Sequence, residues 1–204
     1  MKPAHGPDEA SKPDHPHLVE TTLGSQEILK GHFLQVMRDS VKLPDGSLAT
    51  REYVVHSGAV MVVALLDDGR LVLERQFRYP MQAVMLEFPA GKFDPGETSL
   101  ACAQRELREE TGYSAREWAK AGVLHPVISY STEFIDIWFA RGLTPGQRKL
   151  DDGEFLDVFT ATPAELLAWC ANGQVTDAKT LTGMLWLQNV LSGVWTLDWQ
   201  PAAL

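Results

Sequence analysis

The feature that most constrains this chain is the stretch from Gly91 to Tyr113, GKFDPGETSLACAQRELREETGY. Its fixed points are Gly91, Glu97, Arg105-Glu106-Leu107, Glu109-Glu110 and Gly112-Tyr113. The pattern is that of one amphipathic helix between two turns. Thr98 or Ser99 can cap the helix start, and Gly112 suits the residue just past its last turn. At about 100° per residue, Leu100, Ala103 and Leu107 share an apolar stripe. Glu106, Glu109 and Glu110 crowd a neighbouring face. Glu106 and Glu110 are four apart, where like charges repel by about 0.2–0.5 kcal/mol. Arg105 is four from Glu109 and is expected to brace that one carboxylate.

Carboxylates facing one way need a cation, and an all-oxygen donor set suits Mg²⁺ or Mn²⁺. Gly91, Pro95 and Gly96 suit a tight loop that bends back toward the carboxylate face and brings Glu97 with it. A charge run is ordinarily a solvated helix face. Chance filling of these fixed spacings, however, is on the order of one in 10⁸. The stretch resembles the box of the Nudix hydrolases, with every fixed position filled. That resemblance implies hydrolysis of a nucleoside diphosphate linked to another moiety, with divalent metal on Glu106, Glu109 and Glu110. It also implies an α/β/α sandwich with the box as loop–helix–loop.

The 204 residues fit one domain with an added element, or two small ones. A formal charge of −9 argues against non-specific nucleic-acid binding, so an anionic ligand must be held locally. No apolar run reaches membrane-spanning length and no secretory signal opens the chain. Cys102 and Cys170 lack metal-ligand spacing and read as reduced, so a cytoplasmic location is expected.

Residues 1–24 show no apolar period and read as a disordered tail. Residues 25–57 read as an antiparallel hairpin, with Leu43-Pro-Asp-Gly46 as its turn and 49–56 as its returning strand. It has too few apolar residues to stand alone, which predicts a homodimer formed through it. Residues 58–194 form the main domain and 195–204 a C-terminal tail. Strands are expected at 59–66, 70–77, 85–88, 123–128 and 134–140, and helices at 163–171 and 177–191. Trp138, Trp169 and Trp186 are expected in the core, and Trp195 and Trp199 over a subunit surface.

Glu74-Arg-Gln-Phe-Arg78-Tyr followed by Glu87-Phe-Pro-Ala90-Gly is similar to the ADP-ribose pyrophosphatase group. So are Leu150-Asp-Asp-Gly-Glu-Phe155 and Asp177-Ala-Lys-Thr180, and the likeness covers residues 26 to 192. In that group a small N-terminal sheet is exchanged across a homodimer. The likeness gives Arg78 a hold on the diphosphate, which a fork of N–H donors matches. It places Glu87 near the substrate, makes the Ala90 carbonyl a metal ligand, and, more weakly, gives Arg51 a substrate contact. It also gives Glu133, in the loop 129–133, a role in activating water or binding metal. The Pro-Gly pair common before that glutamate is missing here. Glu109, next to Arg105 and the expected metal, suits a ligand; Glu133, on a loop that can move in, suits the base. The implied reaction is cleavage of ADP-ribose to AMP and ribose 5-phosphate. Alternatives are a GDP-sugar, a dinucleotide coenzyme, or a sensor that binds ADP-ribose without cleaving it. The filled box, with no DNA-binding helices past Leu191, argues against the sensor.

Overall fold

The computed structural model describes residues 15–202. The chain divides into two units. One runs to Ser57 and takes back Val127–Glu133; the other comprises Gly58–Pro126 and Phe134 onward.

The first unit holds a short 3-10 turn, Pro16–Leu18, and three strands: β1 (Thr21–Lys30), β2 (Gln35–Lys42) and β3 (Leu48–Val55). They form an antiparallel sheet in the order β1-β2-β3. The turn after β2 closes as its sequence dictates. Gly46 takes the left-handed conformation, and the Asp45 carboxylate accepts from the Ser47 N–H and hydroxyl. The expected hairpin is therefore a three-stranded sheet. The expected tail also ends earlier, because Thr21–Lys30 is strand; residues 1–14 lie outside the described residues. β1 carries no apolar period, because every residue in it is exposed. Backbone pairing with β2, not an apolar face, makes it a strand. In the whole sheet only Asp39 and Val41 are buried. Beside β3, the Val54 N–H donates to the Tyr130 carbonyl (2.9 Å) and the Thr132 N–H to the Val54 carbonyl (3.0 Å).

The second unit contains, in order, β4 (Ala59–Leu65), β5 (Leu71–Arg78), β6 (Ala83–Glu87), β7 (Ala90–Lys92), α1 (Ser99–Thr111), β8 (Tyr113–Leu124) and β9 (Ile135–Pro145). These are followed by β10 (Leu156–Ala161), α2 (Pro163–Ala171), α3 (Ala178–Leu191) and β11 (Gln200–Pro201). The sheet runs β10-β5-β4-β9-β8-β11, with β6 on β5 and β7 on β4. β4 and β9 are parallel. β4 is buried on both faces, as its unbroken apolar run predicts. Met61 and Val63 pack with Leu166 of α2 and Met184 and Leu187 of α3. Val60 and Val62 pack with Cys102, Ala103 and Leu107 of α1. The result is the expected α/β/α layering. α3 lies so close that a Cβ on Gly183 would meet Met61 Cε and Phe88 Cε2 at 2.9 Å. Both later helices are capped as their sequences specify, by Thr162 with Glu165 and by Asp177.

Three expectations need correction. The strand placed at 123–128 is β8, which begins at Tyr113 directly after the box helix. Its exposed Arg116 and Lys120 hid its period. β10 was not anticipated. Residues 195–202 are no tail: Gln200 and Pro201 pair with Trp118 and Glu117 of β8. Trp195 meets Trp186 edge-on at 4.4 Å, and Arg141 stacks on Trp199 at 4.0 Å, so both rings are used within the chain. Trp138 is core, and Trp169 and Trp186 pack at its margin. Among the described residues no helix is long and apolar enough to cross a membrane.

Candidate active site

α1 is built from its caps inward. Thr98 Oγ1 accepts from the Ala101 N–H (3.3 Å), and Gly112 closes the helix in the left-handed conformation. Its first residue is tied to the sheet. Ser99 Oγ donates to Asp136 Oδ2 on β9 (2.5 Å) and accepts from Trp138 Nε1 (2.8 Å). Lys120 on β8 adds an ion pair to the same Asp136 oxygen at 2.8 Å. The helix start is thus fixed, and with it the direction of every glutamate downstream.

Arg105 does more than brace Glu109. Its guanidinium bonds Glu97 through Nε and Nη2 (2.9 and 2.8 Å), Glu106 through Nη1 (2.8 Å) and Glu109 through Nη1 (3.1 Å). Nη2 also donates to the Lys92 carbonyl at 2.9 Å. One cation therefore sets three carboxylates of the box and clamps the preceding loop onto the helix. Glu97 does approach from that loop, and Arg105 holds it below the usual carboxylate range.

Glu106 and Glu110 lean toward β7. The Ala90 N–H donates to Glu110 Oε2 at 3.0 Å. A Cβ on Gly91 would lie 1.9 Å from Glu106 Cδ, so the first residue of the motif must be glycine to admit the carboxylate. Burial pushes Glu106 up to about 7 against the pull of Arg105. Glu110 is raised well above the ordinary value by burial, then by the charges of Glu74, Glu106 and Glu154. Among the described residues no three acidic, histidine or cysteine side chains already converge at coordinating distance. Separate partners hold these carboxylates: Arg105 takes Glu106 and Glu109, and Ala90 takes Glu110. The donor set is nonetheless all oxygen, with Glu110 buried and Glu106 and Glu109 half-buried, and it carries more negative charge than Arg105 offsets, which fits a hard divalent ion.

Glu87, at the end of β6, is 2% exposed. Burial raises its pKa, but Arg78 and Lys179 outweigh that and hold it low. Arg78 grips it with a fork, Nε to Oε1 and Nη2 to Oε2, both 2.7 Å. Lys179 also bonds Glu87, and Asp177 at 3.0 Å. Of the five N–H donors of a guanidinium, this fork uses two. Arg78 thus keeps donors for an anionic ligand while Glu87 orients it.

Glu74 went unassigned in the sequence, as did Lys179 and Glu154. Glu74 lies opposite Glu87 in the β5–β6 register and is fully buried. Burial, then the charge of Glu87, pushes it up to about 8. The signal was present: Glu74 breaks the apolar run Leu71-Val-Leu73 at a position that faces inward. Glu154, in the segment before β10, lies near enough to act electrostatically on Glu74, Glu106 and Glu110, and accepts from Gln76 Nε2 at 3.4 Å.

Arg51 and Glu133 belong to the first unit. Arg51 pairs with Glu20 at 2.5 Å. The segment carrying Glu133 is a loop between β8 and β9, as expected. It is tied to Val54, and Thr132 Oγ1 accepts from the His56 N–H at 2.9 Å. The Glu133 N–H donates to Ser131 Oγ at 3.1 Å.

Residues 55–182 match the family described as the NUDIX domain. The chain belongs to the Nudix family. Residues 20–54 match the nucleoside diphosphate sugar hydrolase N-terminal domain, whose span coincides with the three-stranded sheet. The chain is 35% identical over 173 residues to the ADP-ribose pyrophosphatase of Bacillus subtilis (strain 168), covering 84% of this chain and 94% of that protein. It is 34% identical, also over 173 residues, to the methanol dehydrogenase activator of Bacillus methanolicus, covering 83% and 92%. The crystal structure of an ADP compounds hydrolase matches its fold with a TM-score of 0.78 at 24% identity, over 86% of this chain and 95% of that one. The chain is thus a Nudix hydrolase with an intact box, in which Gly91 makes room for Glu106, Arg105 holds Glu106 and Glu109, and the Ala90 N–H holds Glu110.

Proposed function

We propose that this Nudix hydrolase cleaves the diphosphate linkage of ADP-ribose, or of a related nucleoside diphosphate sugar, releasing AMP and ribose 5-phosphate from ADP-ribose. The observation that carries this reading is the pair of half-buried Glu106 and buried Glu110, set against β7 beside the Arg78–Glu87 fork. The similarity to the Bacillus subtilis pyrophosphatase supports the choice of substrate.

Glu106, Glu110, Glu109 and the Ala90 carbonyl would hold Mg²⁺ or Mn²⁺. The ion supplies charge neutralisation on the diphosphate and a more acidic water. Arg78 holds phosphate oxygens with the donors that Glu87 leaves free. Arg105 fixes Glu109 and Glu106, so the carboxylates do not reorganise as charge develops. Arg51 contributes a further substrate contact. Glu133 takes the proton from the attacking water. Glu154 is its rival, because it already acts electrostatically on Glu106 and Glu110. Glu133→Gln, Glu154→Gln and Glu109→Gln, with kcat and Mg²⁺ dependence measured separately, distinguish the three. The base is the residue whose loss lowers kcat without weakening metal binding.

The protein acts in the cytoplasm as a homodimer joined through the sheet of β1, β2 and β3. Exposed Leu23, Ile28, Leu29 and Val55 in that sheet support the dimer. The substrate is tested by incubating the protein with ADP-ribose, GDP-mannose and NAD and separating the products by ion exchange. Fastest turnover on GDP-mannose or NAD moves the assignment to that class. Binding of ADP-ribose without product makes the protein a sensor.

A further inference from the structure

The second unit contains a buried carboxylate that the reading above leaves without a task. Glu74 is fully buried, and neither carboxylate oxygen has a hydrogen-bond partner among the described residues. Its place in the fold is fixed twice over. In the β5–β6 ladder it stands directly opposite Glu87, and in the β5–β10 ladder opposite Val158. Directly opposed residues share a face of the sheet, with Cβ atoms about 4.5–5.5 Å apart. Glu74 therefore points to the face where Glu87 meets Arg78 and Lys179. Beyond Glu87 the chain runs through Phe88 and Pro89 to Ala90, whose N–H bonds Glu110.

The nearby cations are committed elsewhere. The Arg78 fork is on Glu87, and Lys179 bonds Glu87 and Asp177. Glu87 is satisfied and Glu74, across the ladder, is not. A buried carboxylate without a partner is costly, and a leucine here would continue the apolar run of Leu71 to Leu73 without that cost. Such a group is compensated when a cation of high charge density is shared with a neighbouring carboxylate.

We propose that Glu74 is a further metal ligand, a carboxylate from β5 that shares a divalent ion with Glu110 of the box helix. The site is then built from two layers of the sandwich, a sheet strand and α1, and the ion staples one to the other. This inference rests on the box glutamates holding such an ion, and the variants below separate the two claims.

The test uses Mn²⁺ alone as probe, with free ion followed by electron paramagnetic resonance and thermal melting recorded with and without Mn²⁺. Glu110→Gln should weaken Mn²⁺ binding about tenfold or more. Glu74→Gln and Glu74→Leu should weaken it to a comparable extent. Glu74→Leu should also melt higher than wild type without Mn²⁺ and gain less on its addition, which a purely structural role would not produce. If Glu110→Gln loses affinity while both Glu74 variants keep wild-type affinity and the wild-type rise in Tm, Glu74 is no ligand. If Glu110→Gln also keeps wild-type affinity, the box reading itself fails, and this inference with it.

Discussion

The box helix and the N-terminal sheet use their side chains in opposite ways. α1 buries Cys102, Ala103 and Leu107, and even the carboxylate of Glu110, so nearly every residue that defines it has a partner in the same unit. β1 buries nothing, and Leu23, Ile28 and Leu29 stand on its surface. Charge is drawn inward in one region, and apolar surface is left outward in the other. The difference is one of completeness. The proposed ion would balance the helix's charge, whereas the proposed dimer would give the sheet a second apolar surface.

Five substitutions would break or sharpen this contrast. The largest effect is expected from Glu110→Gln and Glu106→Gln, each lowering kcat on the order of 100-fold or more while Tm holds. Burial already favours the neutral form of both side chains, so an amide keeps the fold and removes only the charge needed for metal. A parallel fall in Tm would show that they are structural. Gly91→Ala should come next. Its methyl would strike Glu106, costing about 1–3 kcal/mol in urea unfolding as well as turnover. Wild-type activity in that variant would mean that Glu106 can leave its place freely.

On the other side of the contrast, Leu29→Asp should convert a dimer at micromolar concentration to a monomer by light scattering, with the box helix intact by circular dichroism. A monomeric wild type would remove the sheet's proposed role. The smallest effect is reserved for Thr98→Ala. Loss of that cap should cost about 1 kcal/mol in urea unfolding, with kcat little changed, because Ser99 still ties the helix to Asp136.

What could be read from the sequence was local. Thr98 and Gly112 bound the box helix because caps and left-handed glycines act within one turn. Thr162-Pro163 and Asp177 mark the two later helices for the same reason. The apolar run at 59–66 announced a central strand. β1 and β8 were missed or misplaced because a partner strand, not their own period, makes them strands. Arg105 was read as a brace for one glutamate because helical spacing shows Glu109 but not Glu97, which arrives from the loop. Glu74 was passed over because its significance lies in the cross-strand register with Glu87, which no single segment reveals.

The return of Val127–Glu133 to β3 has a consequence for how the protein can be taken apart. The chain crosses between its two units at three points, after Ser57, Pro126 and Glu133. No single cut separates them. Cleavage after Ser57 alone would remove β3 and strip Tyr130 and Thr132 of the Val54 backbone they pair with. The N-terminal sheet is therefore not a portable module that can be clipped off or grafted elsewhere as one continuous piece. Its outermost rung is encoded more than seventy residues further along the chain, between two strands of the hydrolase sheet.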